Sequence, residues 1–362
     1  HKFFWILLVL AIIIFRWVLV GSVYWGDSPF FYPEEIAEFF SEPMVWTSQG
    51  NNFGGINLVL WLSPLMLLWK FLGPQLLFII PSIILSLIGP ILLTRYLKFS
   101  KTTQFFSAAV YTFNTYFLLL IDGGQLGVSL AYGFFPLTVL SLKRLIDKPS
   151  LKGFYLALVF LLLNGLADPR ITLLAPLAVA VWNFKKIKEL LVFIPLGLSW
   201  ILLNAFWIYP FLMNKGQTLL PSNIDVDIVK FFNPLLLFSP HWPDNLFGKV
   251  NTPALYFLGI PFLIFLGVLL SRKKGDLNLL FSYLLFSFLS VFPVGTIFRD
   301  STKLFIPVML FAGILIGKTV EVFKKKSVAA LVFLYLLLLV HPAILGKMNF
   351  VLSNRSHSND FT

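Results

Sequence analysis

The sequence predicts an all-α, polytopic membrane protein with about eleven transmembrane helices. Its 362 residues are 58% hydrophobic and only 12% charged, about half the charged share of a soluble domain. The mean hydropathy is +0.87, and the apolar residues form runs long enough to cross a bilayer. The chain has no cysteine, so disulfides and thiol catalysis are excluded. These values exclude a soluble globular domain, a disordered chain and a disulfide-built secreted domain.

The predicted spans follow one another with short connections. A run of about 20 apolar residues crosses the hydrocarbon core at 1.5 Å per residue. The first run is too long for a signal peptide and lacks a cleavage site, so it is expected to stay as a helix. Proline interrupts several runs, which membrane helices tolerate. The spans are 3–20, 75–97, 103–121, 127–142, 153–167, 171–184, 190–209, 254–270, 277–293, 303–319 and 327–345.

One further apolar segment, residues 55–72, is not expected to span. Pro64 interrupts it, and Trp61, Trp69 and Lys70 are residue types of the membrane interface. If it does not span, all the basic turns of the chain fall on one side; if it spans, the N-terminal lysine opposes them. We therefore predict a helix in the outer interface or a re-entrant segment.

The charge distribution predicts the orientation. One side carries 18 basic and 4 acidic residues, whereas the remainder carries 10 basic and 12 acidic residues. Because Lys and Arg collect in cytoplasmic loops, we expect a multi-pass plasma-membrane protein with a cytoplasmic N-terminus and an external C-terminus. The transmembrane domain would comprise residues 1–345, with long external loops at 21–74 and 210–253. The polar tail 346–362 is expected to begin a further external region, since the sequence resembles a piece of a longer chain.

Asp27 is the main candidate for chemistry. It follows the first span in an external loop, and Pro33 starts a short amphipathic helix that carries Glu34 and Glu35. A carboxylate in a partly dry cleft can act as a general base towards an acceptor hydroxyl. The alternative interpretation of these acids is an interfacial loop in which they are merely solvated.

Further charged residues lie at predicted outer helix ends. Arg299 and Lys303 share one face of a helix start and could hold a lipid phosphate, or could snorkel beside an Arg–Asp pair. Arg16, late in the first span, could snorkel outward, reach a phosphate or pair with Asp27. Several residues are candidates for sugar or acceptor contacts or for a second acid, with solvation, a local ion pair or an incidental loop residue as the alternative: Glu34, Glu35, Asp122, Asp168, Arg170, His241 and Asp244.

Three stretches resemble the GT-C glycosyltransferases, which are integral membrane enzymes. YWGDSPFFYPEEI (24–36) is similar to the Gly-Asp loops of YfhO-like proteins and of large arabinofuranosyltransferases. AYGFFPLTVLSLKRLID (131–147) resembles a family helix that leads into a basic turn. FRDSTKLFIPVML (298–310) resembles an external Arg-acid-x-x-Lys helix start. The resemblance runs through the chain in order, although each motif is short.

The resemblance implies an inverting glycosyltransferase with a polyprenyl-phosphate sugar as donor and an external glycan, glycolipid or protein as acceptor. Asp27 would match the family's catalytic base. The paired Asp-Asp or Asp-Glu of many relatives is missing, so neither a cofactor nor a divalent metal is assigned. No zinc spacing, Walker loop or nucleotide fingerprint occurs, which agrees with a lipid-linked donor. A transporter or lipid flippase, and a non-catalytic scaffold of an envelope-assembly complex, remain the alternatives.

Overall fold

The computed structural model describes residues 2–19, 75–206, 208–209, 232–238, 244–249, 252–271, 273–291 and 301–348. About 83% of these residues are helical, and their only strands form a two-residue hairpin. The predicted all-α class is therefore confirmed. Four helical stretches are long and apolar enough to cross a membrane, each of 22 residues: Gln75–Tyr96, Lys101–Asp122, Leu126–Asp147 and Thr302–Phe323. The predicted segment 55–72 lies outside the described residues.

Shorter helices complete the described part. A 3₁₀ turn at Arg16–Leu19 follows the first helix, and a π-helical turn at Gln75–Ile79 precedes the second. The helices are α1 Lys2–Ile14, α2 Ile80–Tyr96, α3 Lys101–Thr112, α4 Thr115–Asp122, α5 Leu126–Asp147, α6 Leu151–Ala167, α7 Pro169–Trp182, α8 Ile187–Leu190, α9 Phe193–Leu203, α10 Phe232–Leu235, α11 Gly259–Ser271, α12 Lys274–Leu289, α13 Phe305–Phe323, α14 Lys326–Leu339 and α15 His341–Ile344; the strands are β1 Asp244–Asn245 and β2 Gly248–Lys249.

Polar side chains fix where several helices begin. Ser100 accepts a hydrogen bond from the backbone N–H of Thr103 at the start of α3, and Ser150 caps α6 in the same way. Asp168 caps α7, whose first residue is Pro169. A cap satisfies a backbone N–H that has no partner within the helix, and Pro has no N–H to satisfy. These starts follow from the local sequence alone.

Small residues let the central helices approach closely. In α13, Gly313 and Gly317 are one turn apart and lie on the backbone of α3 at Ser107 and Thr103, so that a Cβ atom on Gly317 would stand 2.8 Å from the Thr103 Cα. Gly133 of α5 lies similarly on α2. Between membrane helices, close packing replaces the hydrophobic driving force that acts in water. The pairs α3–α13 and α2–α5 therefore form the centre of the bundle, and α13 is buried along most of its length.

One end of the bundle gathers the basic turns, and we call it the basic end. Asp147 at the end of α5 accepts hydrogen bonds from Lys143 (2.6 Å) and from Lys186 in the turn before α8 (3.2 Å). Tyr96 at the end of α2 also donates to Asp147. Near the start of α12, Asp276 pairs with Lys318 of α13 at 2.7 Å. These contacts involve the end regions of five helices, α2, α5, α8, α12 and α13, and the basic turns lie together as the charge distribution predicts.

The predicted span 103–121 differs from the structure in an informative way. The chain breaks between α3 and α4 at Phe113 and Asn114. The Asn114 amide donates to the Val110 and Tyr111 carbonyls at 2.9 and 2.8 Å, and its oxygen accepts from the Phe117 N–H at 2.9 Å. The side chain thus satisfies backbone groups that the interrupted ladder leaves open. Apolar periodicity alone did not reveal this break.

Candidate functional site

Several predicted site residues lie outside the described part of the chain. They include the proposed base and one of the three proposed phosphate ligands: Asp27, Glu34, Glu35, His241 and Arg299. The remaining predicted residues lie at or near helix ends, apart from Asp244, which lies in the β1–β2 hairpin. Their surroundings determine what the described part of the site can do.

Asp168 and Arg170 form a buried ion pair between α6 and α7. The Arg170 Nη2 lies 2.5 Å from Asp168 Oδ2, and Nε donates to Oδ1 at 2.9 Å. The Arg170 backbone N–H also donates to Oδ1, since Asp168 is the N-cap of α7. Asp168 is 3% exposed. This bidentate geometry is the strong form of an Arg–carboxylate contact, so the pair stabilises the connection between α6 and α7.

Lys303 extends this pair into a cluster. It lies in a 3₁₀ turn at Ser301–Leu304, directly before α13, and is 3% exposed. That turn contacts α7, and the positive charge of Lys303 acts on the Asp168 carboxylate. We call Asp168, Arg170 and Lys303 the Asp168 cluster. The structure thereby brings together three charged residues that sequence reasoning assigned to two separate loops.

The cluster keeps Asp168 ionised. Burial by itself would raise the pKa of Asp168, but the charge and hydrogen bonds of Arg170, helped by the charge of Lys303, hold that pKa below its ordinary value. A carboxylate with a lowered pKa is a poor proton acceptor. Asp168 therefore fits a role in holding two cations better than the role of a second acid or base.

A polar layer that sequence reasoning missed lies one turn below the cluster. The Asn164 amide of α6 donates to the Ala131 carbonyl of α5 at 3.1 Å, and Thr172 of α7 donates to the Asn164 oxygen at 3.2 Å. Both side chains are buried. The layer ties three helices together beneath Asp168. An Asn within an otherwise apolar run was the signal that could have revealed it.

Asp122 is a second buried acid, at the last residue of α4. It is fully buried, and the turn that follows it uses Gly124 with φ 71°. The same short helix lies beside the start of α13, because the rings of Tyr116 and Phe305 stack at 5.6 Å. Asp122 therefore lies on a helix that packs beside the start of α13, which directly follows the turn that carries Lys303.

Arg16 and Asp244 are more exposed. The Arg16 guanidinium donates to the Ile344 carbonyl at 3.3 Å, at the end of α15, where a cation also meets the negative end of the helix dipole. Asp244 pairs with Lys249 across the hairpin at 3.8 Å, and both side chains are more than 70% exposed. These contacts correspond to local structural roles, and the predicted ligand roles of both residues remain predictions.

The break between α3 and α4 is the other polar feature inside the bundle. Tyr111 and Tyr132 stack at 4.2 Å, and each hydroxyl donates to the other's backbone carbonyl. Thr115 donates to the Leu237 carbonyl at 2.8 Å. A cavity of about 10 Å³ beside Asn114 and Thr115 has room for about one water molecule. The break is thus closely packed and nearly filled.

Part of the second predicted external loop is buried in the bundle. Residues 232–238 include α10, and their carbonyls accept hydrogen bonds from Thr115 and, at Leu235, from Tyr283 of α12 at 2.6 Å. Phe238 is fully buried. This segment therefore packs against α4 and α12, while the predicted external loop 210–253, most of which lies outside the described residues, stays a prediction. The apolar sequence of residues 232–238, with Pro234 among them, was the available signal.

Within the described residues, no group of three or more His, Asp or Glu side chains is arranged to hold a metal ion. No protein-family model, curated protein or solved structure matches the chain.

Proposed function

We propose that this protein is an inverting membrane glycosyltransferase of the GT-C type. It would move a sugar from a polyprenyl-phosphate donor to an external glycan, glycolipid or protein. The observation that carries the proposal is the Asp168 cluster: two cations held around one ionised acid, buried at the bundle end opposite the basic end. Ionisable groups at membrane depth are costly, which favours a functional role for them.

The proposal includes a multi-pass plasma-membrane topology with a cytoplasmic N-terminus. The basic end would face the cytoplasm, in agreement with the usual excess of Lys and Arg there. The Asp168 cluster would then lie at the external side, where a lipid-linked donor in the outer leaflet can enter laterally. Of the three motifs that resemble GT-C enzymes, residues 298–310 include Lys303 of this cluster, whereas residues 131–147 end in the basic turn.

The predicted base and the cations have separate roles in the proposed transfer. Asp27 takes the proton of an acceptor hydroxyl as its oxygen attacks the anomeric carbon. The bond between that carbon and the phosphate oxygen breaks, and the electron pair leaves with the lipid phosphate, so the configuration inverts. Arg299 and Lys303, with Arg16 at the margin, stabilise the departing phosphate. Arg170 would contribute through its contact with Asp168.

The decisive experiment compares Asp27→Asn with the wild type in proteoliposomes that contain radiolabelled polyprenyl-phosphate hexose and pentose donors. Removal of a general base should lower transfer by roughly 10²- to 10⁴-fold while donor binding persists. Glu38→Gln, which neutralises another acid of the same loop, is the matched control and should transfer normally. Undiminished transfer by Asp27→Asn would refute the assignment of the base.

The phosphate role has its own test. Lys303→Gln should weaken binding of polyprenyl phosphate, and Lys303→Arg should restore it, because the positive charge is what the phosphate requires. The control is Lys249→Gln, since Lys249 is exposed and lies in the hairpin. Equal binding by Lys303→Gln and the wild type, with both proteins folded, would remove Lys303 from the site.

A flippase or transporter is the second candidate, and the break between α3 and α4 favours it. Transporters place polar residues at discontinuous helices near mid-membrane depth, and Asn114 and Thr115 lie at such a discontinuity. Against this, the break is nearly filled and Asn114 is fully hydrogen-bonded. Transbilayer movement of a fluorescent polyprenyl phosphate without loss of its sugar would support transport over transfer.

A further inference from the structure

We propose that the basic end carries a binding site for the headgroups of anionic phospholipids, formed by the turn before α6 and the segment around α8. We call it the lysine corner: Lys148, Lys152, Lys185 and Lys188, with the apolar residues Leu151, Ile187 and Leu191. The site is separate from the Asp168 cluster at the opposite end of the bundle and does not depend on the proposed glycosyl transfer.

Ion pairs through one acid bring the two segments together. Asp147 directly precedes Lys148 and accepts hydrogen bonds from both Lys143 and Lys186. Lys186 is flanked by Lys185 and followed by Lys188. The turn before α6 and the start of α8 are therefore neighbours in space, although they are about forty residues apart in sequence.

The same contacts leave the corner with a large excess of positive charge. Asp147 is already engaged by two lysines and by the Tyr96 hydroxyl. Among residues 143–152 and 183–192 the remaining acid is Glu189, against seven basic residues. The side chains of Lys148, Lys152, Lys185 and Lys188 are exposed. Four to eight basic residues on an amphipathic helix or beside a membrane helix attract anionic lipid.

Exposed apolar side chains lie among these lysines. Ile187 is 70% exposed, Leu191 58% and Leu151 71%. Leu151 is the first residue of the apolar helix α6, and Ile187 and Leu191 lie at the two ends of the short α8, just before the apolar helix α9. A lipid covers both kinds of group at once, because its phosphate meets lysine and its acyl chains meet the apolar residues. A nucleic acid or an acidic protein would match the charge and leave Ile187 and Leu191 uncovered. The chemistry therefore favours an anionic phospholipid.

A second lysine group on the same end provides the comparison. Lys324, Lys325 and Lys326 are exposed in the turn between α13 and α14. Their neighbours Phe323 and Val328 are half-buried, so this turn lacks the exposed apolar side chains of the corner. If binding needs both features, removal of three lysine charges from each group should have different effects.

The test uses the full chain, reconstituted in phosphatidylcholine vesicles that contain a minor share of phosphatidylglycerol and then extracted in mild detergent. Native mass spectrometry counts the retained phosphatidylglycerol. The triple variant Lys148→Gln, Lys185→Gln, Lys188→Gln should lose retention by roughly tenfold or more, since each lysine near an anionic surface contributes about fivefold. The control Lys324→Gln, Lys325→Gln, Lys326→Gln removes the same number of charges from a turn without exposed apolar neighbours, and it should lose clearly less retention than the corner variant.

Two further variants test the charged and the apolar part of the site separately. Replacing Lys148, Lys185 and Lys188 by Arg preserves charge and should preserve retention, which separates lipid binding from damage to the fold. Ile187→Ser with Leu191→Ser keeps every lysine and should still lower retention. Equal loss in both Gln variants would mean that retention depends only on the number of charges, which would overturn the site. Unchanged retention in the triple variant at Lys148, Lys185 and Lys188 would also overturn it. Tighter binding of a single-stranded oligonucleotide, with displacement of phosphatidylglycerol, would also overturn it.

Discussion

Asp168 illustrates how a charged residue is kept within an apolar bundle. Its carboxylate is almost fully buried, yet the Arg170 guanidinium donates hydrogen bonds to both of its oxygens. As the N-cap of α7, Asp168 also accepts a hydrogen bond from the Arg170 backbone N–H. Buried ion pairs add little net stability, but removal of one partner leaves an uncompensated charge. The pair should therefore be sensitive to single substitutions.

Asp168→Asn should destabilise the protein by about 3 kcal/mol, because Arg170 then remains partly buried without its counter-ion. Asparagine can still cap α7, so the loss reports the charge and not the cap. Thermal unfolding in detergent measures the change. Asp244→Asn is the matched control: it breaks an exposed pair with Lys249 and should leave the unfolding temperature unchanged. Equal stability of Asp168→Asn and the wild type would contradict the role of the pair.

The same residue predicts a dependence on pH. Since folding lowers the pKa of Asp168, its ionised form contributes stability above its unfolded pKa of about 3.9, and that contribution is lost as the pH falls through the lower folded value. The stability difference between wild type and Asp168→Asn should be constant near neutral pH and shrink below about pH 4. A difference that instead shrank as the pH rose towards 8 would show the opposite sign.

At the scale of helices, close approach between α3 and α13 determines the centre of the bundle. Gly317→Ala should destabilise by about 1 to 3 kcal/mol, because the added Cβ would meet the Thr103 backbone at 2.8 Å, and a backbone cannot rotate away. Gly197→Ala in α9 is the control, since no heavy atom lies within 4 Å of its added Cβ. Chemical or thermal unfolding compares them, and equal losses would mean that the effect is not one of packing.

Hydropathy predicted most helices of the described part, but it did not predict the break in the α3–α4 stretch or the packing of residues 232–238. Long apolar runs predicted the helices of the described part well, because the length of an apolar run depends only on consecutive residues of the sequence. The break at Asn114 depends on hydrogen bonds between its side chain and the backbone of nearby residues. Residues 232–238 are held by hydrogen bonds from Thr115 and Tyr283 to two of their carbonyls. Those partners come from distant parts of the chain, so hydropathy alone could not reveal them.

At the scale of the whole molecule, the distribution of Lys and Arg in the sequence predicted which helix ends lie together. It did not predict which charged residues contact one another at the candidate site. The sequence placed Asp168 and Arg170 together because they are neighbours in the chain. It could not join them to Lys303, since that contact depends on how α7 packs beside the turn before α13. Nor could it distinguish paired from exposed lysines at the basic end, where Lys186 and Lys318 have acidic partners. Tertiary packing supplies both distinctions.

The orientation of the whole chain can be tested directly because the sequence contains no cysteine. Single cysteines at Ser150 and Lys325 mark the basic end, and single cysteines at Lys347 and Asp244 mark the opposite side; all four positions are exposed. In intact cells, a membrane-impermeant maleimide should label only Lys347→Cys and Asp244→Cys, because Lys and Arg favour the cytoplasmic side. Permeabilised cells should show all four, and the cysteine-free wild type none. Labelling of Ser150→Cys and Lys347→Cys from the same side would contradict the predicted topology and, with it, the external position of the Asp168 cluster on which the proposed transfer depends.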